Sequence, residues 1–296
     1  MATLVLAALG SPAQAQSLFG FDLRGSFGEN GFDRYVPPVT MFVLNETPFI
    51  TTEVKPIYAY HNIPDGFITQ GGDVNAVAVQ GRLALGDRLG IIATTDGWAD
   101  VDFETTLPDA TGFLDLAAGV KYAFYSVPED GEIITAGIRY TAPIGGVDTA
   151  GIDLNGNGSG FLNTFVTAAK LWDKTQVQGT AGFQWGLSDE NWSYIHTHGH
   201  VDYEITPGVF PLMEFNLLIP VDGGDQIPGA NLTGADIFDL GAGNPDAIFT
   251  VAGGVRLRPL DNLIFGVAVE GNLPDLSGMA TSVYGWRVTT DLTIHF

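Results

Sequence analysis

Stretches of about ten residues in which every second side chain is apolar recur along this chain, and they restrict it to β structure. In residues 174–187, Val177, Gly179, Ala181, Phe183, Trp185 and Leu187 share one face, while Gln176, Gln178, Thr180 and Gln184 share the other. In 284–296, Tyr284, Trp286, Val288, Leu292, Ile294 and Phe296 lie with Thr290, opposite Arg287, Thr289, Asp291, Thr293 and His295. In 247–258, Phe249, Val251, Val255 and Leu257 oppose Arg256 and Arg258. Two faces of opposite character suit a wall with lipid on one side and a polar lumen on the other. No apolar run reaches the length of about 18 residues that a membrane-crossing helix needs.

The pattern predicts twelve strands at 52–62, 73–86, 88–96, 113–126, 132–143, 161–172, 174–187, 195–205, 210–220, 247–258, 262–272 and 284–296. Their connections alternate in length. Gly86-Asp87, residues 127–131, Asp173, residues 206–208 and residues 259–261 read as hairpin turns. Between them fall longer connections at 63–72, 97–112, 144–160, 188–194, 221–246 and 273–283. Short turns at one end and long loops at the other are the habit of outer-membrane barrels. The fold class expected is therefore all-β: a closed, antiparallel, up-and-down transmembrane β-barrel of about twelve strands. An even strand number places the N- and C-termini at one end, expected to be periplasmic. Trp172, Trp185, Trp286, Tyr203 and Tyr284 fall near strand ends, where interfacial aromatics belong.

Charge follows the same division. The long loops carry fifteen acidic residues, among them Asp100, Asp102, Glu104, Asp109, Asp222, Asp225 and Asp236, and no Lys or Arg. The chain as a whole has a formal charge of −22. That excess of acid argues against nucleic acid as a partner, since phosphate contacts need clustered cations. The absence of cysteine excludes a disulfide framework and a thiolate zinc site.

Residues 1–15 read as the end of a secretory signal peptide, with an apolar core at Leu4–Leu9 and the small-x-small pattern Ala13-Gln14-Ala15. Residues 16–51 lack the strand pattern and carry Phe19, Phe21, Phe27, Phe32, Phe42, Phe49 and Pro37-Pro38. They form either a periplasmic tail or a segment that plugs the lumen. Residues 52–296 are the barrel.

Charged residues within strands are expected to face inward, because Lys or Arg against lipid costs about 2–4 kcal/mol at mid-depth. The lumenal candidates are Lys55, Arg82, Lys121, Arg139, Arg256, Arg258 and Arg287, with Glu214, Glu270 and Asp291 as partners. Lys170 and Glu53 belong to the same set. They make either a structural ion-pair network or a ladder that selects solutes. His196, His198 and His200 alternate along one strand, followed by Asp202 and Glu204, so all five share a face. Neutral imidazoles at that spacing make a candidate transition-metal site, and a hydrogen-bonded polar stripe is the plainer alternative. Asp153, Asn155 and Asn157, with Gly156 and Gly158, imitate the start of a calcium loop; its twelfth position is Thr164 rather than an acid. Ca2+ or another divalent cation at the external loops is thus the one inorganic partner considered, and no organic cofactor is expected. No nucleophile elbow, P-loop or zinc-protease motif occurs.

Val288–Phe296, with apolar Leu292 and Ile294 at alternate positions before a terminal Phe296, resembles the last strand of bacterial outer-membrane proteins. The resemblance implies recognition by the barrel-assembly machinery. Residues 114–145 carry Gly119-Val120-Lys121-Tyr122, a short turn, Gly137, and Pro143 two before Gly145. They resemble a hairpin of the outer-membrane barrels named for a phenol-degradation pathway, relatives of the long-chain fatty-acid transporters. That resemblance implies passive uptake of small hydrophobic or aromatic solutes through the outer membrane. An outer-membrane hydrolase with a site at the barrel rim is the first alternative. A structural or adhesive barrel whose acidic loops hold divalent ions is the second.

Overall fold

A wall that turns apolar side chains outward all round must leave no strand edge unpaired. In a computed structural model the chain meets that requirement with a closed ring. The structure describes residues 16–18, 21–23, 31–32, 34–95, 97–227, 232, 234–241, 243, 246–273 and 283–296. Residues 1–15, read above as a signal remnant, lie outside the described residues.

In chain order the strands are β1 (Gln16–Leu18), β2 (Phe21–Leu23), β3 (Glu53–Ile63), β4 (Gly72–Leu85), β5 (Leu89–Ala93) and β6 (Gly97–Phe103). They continue with β7 (Ala110–Phe113), β8 (Leu116–Val127), β9 (Glu132–Ala142), β10 (Asp148–Thr149), β11 (Ile152–Asp153) and β12 (Phe161–Trp172). The last are β13 (Thr175–Gly186), β14 (Ser193–Tyr203), β15 (Val209–Asp222), β16 (Ile248–Leu260), β17 (Leu263–Asn272) and β18 (Trp286–His295). Twelve wall strands result, because β5 and β6 together make one and β7 and β8 another. Each neighbour is antiparallel, and β18 pairs back onto β3, with His295 opposite Glu53. The barrel's first and last strands therefore reach the same end, the end of the short turns. There the turns are tight: Gly131, at φ +68, lies against the Leu171 carbonyl, with no room for a Cβ.

Inside and outside alternate along the wall. Val177, Phe215, Phe265 and Val269 face outward and are exposed, while Gln176, Glu214, Arg256 and Arg287 face inward and are buried. Trp172, Trp185, Trp286 and Tyr203 are exposed on the outer face. Tyr284 is a correction. Extending the dyad puts it on the outward face, but it precedes β18 and is fully buried inward, packed on His61 and with its ring centre 5.0 Å from the Arg287 guanidinium carbon.

A second correction concerns the third and fourth wall strands. The expected loop at 97–112 instead contains β6 and β7, which carry the wall further toward the long-loop end. Between β5 and β6, and between β7 and β8, the regular pairing is interrupted. Among the described residues, Thr94 N to Ala117 O (3.1 Å) and Leu114 N to Gly97 O (2.9 Å) tie the two edges there. This interruption forms a seam in the ladder.

The interior is filled by protein. Residues Tyr35–Thr51 are buried with no regular structure. The segment rises past Val36–Thr40, turns at Met41–Asn45 and descends through Glu46–Phe49 to β3. Leu44 and Asn45 both donate to the Met41 carbonyl at the turn, at 2.9 and 2.7 Å. Met41 to Leu44 pack among Ile57, Ala78, Leu114 and residues of the 234–241 loop segment, such as Phe238 and Leu240.

Candidate transport path

An irregular segment enclosed in a barrel must find a partner for each of its backbone groups. The wall supplies side chains for this. Gln176 clamps Val36, accepting from its N–H (3.2 Å) and donating to its carbonyl (2.6 Å). Arg256 donates to the carbonyls of Pro37 (2.9 Å) and Pro38 (2.6 Å), residues with no N–H to offer. Glu214 accepts from Val39 N (2.8 Å), Thr40 N (2.7 Å) and the Thr40 hydroxyl. Gln80 donates to the Phe42 carbonyl at 2.6 Å. Thr167 and Thr180 donate to the Glu46 carbonyl, and Thr135 to that of Pro48.

Glu46 is the one charged side chain between Tyr35 and Thr52. Its carboxylate takes a bidentate pair of bonds from Arg82, at 2.8 and 2.7 Å, and one from Lys121 at 2.8 Å. Burial alone would raise its pKa. The Arg82 guanidinium and Lys121 ammonium outweigh burial and hold the carboxyl well below the usual range. Lys121 also donates to the Thr47 and Phe49 carbonyls, at 2.8 and 2.7 Å.

The remaining lumenal candidates are bound to one another. Arg82 reaches Glu53 at 2.9 Å, Arg256 is bidentate on Asp291, and Lys55 lies 4.0 Å from Asp291. Arg287 bridges Glu270 (3.0 Å) and the loop residue Asp236 (2.7 Å). Arg139 donates to Thr94 and Asn163. Two residues lie toward the short-turn end instead. Arg258 is half-buried over the Phe210 ring, and Lys170 pairs with Glu132 at 2.7 Å, both partly exposed.

The histidines are buried and occupied. His196 contacts Asn163 (2.8 Å) and His198 (3.1 Å), and His198 contacts Asn216 (2.8 Å). Asn216 passes the chain to Glu270 (2.9 Å), and Glu270 to Arg287. His200 is held between Glu214 and Asp202, at 2.8 and 2.9 Å. These contacts run as a hydrogen-bonded chain along the strand, and among the described residues no group of three or more His, Asp or Glu side chains has the arrangement of a metal site. The loop expected to begin a calcium site is also resolved differently. Asp153 accepts from the Asn155 N–H (3.1 Å), a local turn. Asn157 is held by Asn191 and Gln226.

Two apolar features lie toward the loops. A cavity of about 30 Å³ is lined wholly by apolar side chains, including Phe67, Val101, Phe103, Leu154, Phe238 and Leu240. On the outer face, at the seam, lies a groove of about 710 Å³. Its rim is outward-facing Val77, Val79, Trp98, Phe113 and Leu116, and its floor includes the lumen-facing Ile57, Ala78 and Leu114. Here the lipid side and the apolar interior meet with little between them.

The architecture has counterparts among known folds. An outer-membrane channel of Pseudomonas putida F1 superposes with a TM-score of 0.56 at 13% identity, over 88% of this chain and 100% of its own. The chain folds as an outer-membrane channel does. The NanC porin superposes with a TM-score of 0.53 at 7% identity, over 81% of this chain and 98% of its own. No family model and no curated protein matches the sequence. At such identities the likeness is one of fold. This porin-like barrel differs from an open tube in that its lumen holds its own chain.

Sequence reasoning listed the wall cations but missed Glu46, their main partner within the inserted segment. The signal was present: a lone acid in an otherwise uncharged run has to be paired if that run is buried.

Proposed function

We propose that this barrel is an outer-membrane channel for small hydrophobic or aromatic solutes, which enter beneath the external loops and leave sideways through the seam. The groove at the seam carries this reading. Its floor of Ile57, Ala78 and Leu114 belongs to the same packed apolar cluster as the loop residues Phe238 and Leu240, so apolar side chains connect the loops with the groove. The inserted segment supports it too, because residues 35–51 stand across the axial path. Lipid surrounds the exposed apolar face. The short-turn end, with both barrel termini, is periplasmic, and the strand ending in Phe296 is the one the barrel-assembly machinery recognises.

The test is uptake of radiolabelled naphthalene by cells with an intact outer membrane. Leu116→Trp places an indole in the groove without touching the lumen. Uptake is expected to fall several-fold at equal barrel abundance. Uptake equal to wild type refutes the sideways exit, and wild-type uptake no higher than in cells lacking the barrel refutes the channel.

A further inference from the structure

We propose that the loop end of the lumen binds a hard divalent cation of the calcium class through side-chain oxygens of Asp115, Asn155, Thr95 and Asp239. These residues arrive from four segments. Thr95 and Asp115 lie on the two edges of the seam, Asn155 follows β11, and Asp239 comes from the 234–241 segment. All four line one cavity of about 30 Å³. That is space for one ion with a water or two, and far less than an organic solute needs.

Three of the four side chains turn an unpartnered oxygen into this buried space. Asp115 accepts from Gly145 N (2.8 Å) with Oδ1, while its Oδ2 has no partner. Asn155 turns its Nδ2 toward the Phe113 carbonyl (3.5 Å), leaving its carbonyl Oδ1 buried and unpartnered. The Thr95 hydroxyl is likewise buried without a partner. Asp239 is fixed by Gly241 N (2.8 Å) and Trp192 N (3.1 Å). Exposure of the four side chains' residues is between 3% and 9%. An unpaired buried carboxylate is expensive, and two facing one cavity are more so. Among the described residues neither Asp115 nor Asp239 has a Lys or Arg within 4.0 Å; the nearby Asp236 is already committed to Arg287. Donors made only of oxygen select a hard cation, with water filling the remaining positions. The set shares only Asn155 with the calcium-like loop read in the sequence.

Trp192 and Tyr194 line the same cavity, which supplies a reporter. Tb3+ added to the refolded full chain in detergent should give saturable luminescence on indole excitation, displaced by Ca2+. The signal should drop at least tenfold in Asp115→Asn/Asp239→Asn and in Trp192→Phe, with Ca2+ binding by calorimetry retained only in the latter. Asn155→Asp, which adds a charge, should tighten Ca2+ binding; this arm stands even if the double variant fails to refold. No saturable signal overturns the proposal. So does a signal that survives the double substitution, which would belong to the exposed acidic loops, or an Asn155→Asp variant that binds no tighter.

Discussion

Glu46 and Arg82 meet head-on inside the barrel, joined by two parallel hydrogen bonds of 2.8 and 2.7 Å, one residue on the inserted segment and the other on β4. The geometry is the planar fork that gives an arginine–carboxylate pair its strength. Replacing Glu46 leaves Arg82 with Glu53 and deprives Lys121 of its carboxylate. Breaking a buried pair costs about 3–5 kcal/mol. Glu46→Ala should therefore loosen the segment and raise single-channel conductance in planar bilayers. Conductance identical to wild type would show that the pair does not hold the lumen shut.

Asp239 sets a pH dependence at the mouth. Its carboxyl is raised to about 8 by burial and by Asp115 and Asp153, with the N–H groups of Trp192 and Gly241 opposing. Between the ordinary carboxyl range and about 8, the docked loop keeps a proton that the undocked loop releases. Docking is therefore favoured at acid pH, weakens as pH rises through that window, and levels off above it. Hydrogen exchange of residues 234–241 should speed up from pH 5 to pH 8 beyond its intrinsic dependence, and Asp239→Asn should flatten the profile.

Glycines make room for the large inward side chains. The Arg256 guanidinium lies over Gly266, on the neighbouring strand, and is pinned there by Asp291 and the Pro37 and Pro38 carbonyls. A Cβ at Gly266 would overlap it. Gly266→Val should cost about 1–3 kcal/mol, as overpacking does, and lower the temperature of the heat-modifiable gel shift. Gly253→Ala, with open space around its Cβ position, should leave the shift unchanged.

The outer face has its own test. Val269 is exposed and paired with Gly253 and Val288 in mid-wall. Val269→Lys should reduce folding into lipid vesicles by about 2–4 kcal/mol, the cost of a cation at mid-depth. The neighbouring inward position would not carry that penalty. Equal folding efficiency would mean that this face does not meet hydrocarbon.

The wall was readable in the sequence because its two sides contact different media. Val177 and Gln178 differ in character for that reason, and so do Leu257 and Arg256. The reading fails where the inward side is the apolar one or where the contact is distant in sequence. Around the seam the inward residues Ile57, Ala78 and Val101 meet the segment 41–44 and the loops rather than water, while β6 turns Asp100 and Asp102 outward, so the alternation is inverted there and β6 reads as a loop. Tyr284 was assigned by parity, but the dyad begins only at Trp286, and the ring turns inward to Arg287. Asp115 and Asp239 lie far apart in the chain, and no spacing rule connects them. Lys55, Arg82 and Lys121 could be named as inward from the cost of a charge in lipid, but Glu46 had no such marker beyond its isolation.

The wall reaches Val36–Phe49 with side chains and spends none of its strand-to-strand bonds on the segment. Withdrawing the finger would therefore break no rung of the cylinder, and incoming solvent could take over each vacated donor and acceptor. Emptying the bore would cost the Glu46 pairs and the apolar contacts of Met41–Leu44, while the surrounding hoop stays closed.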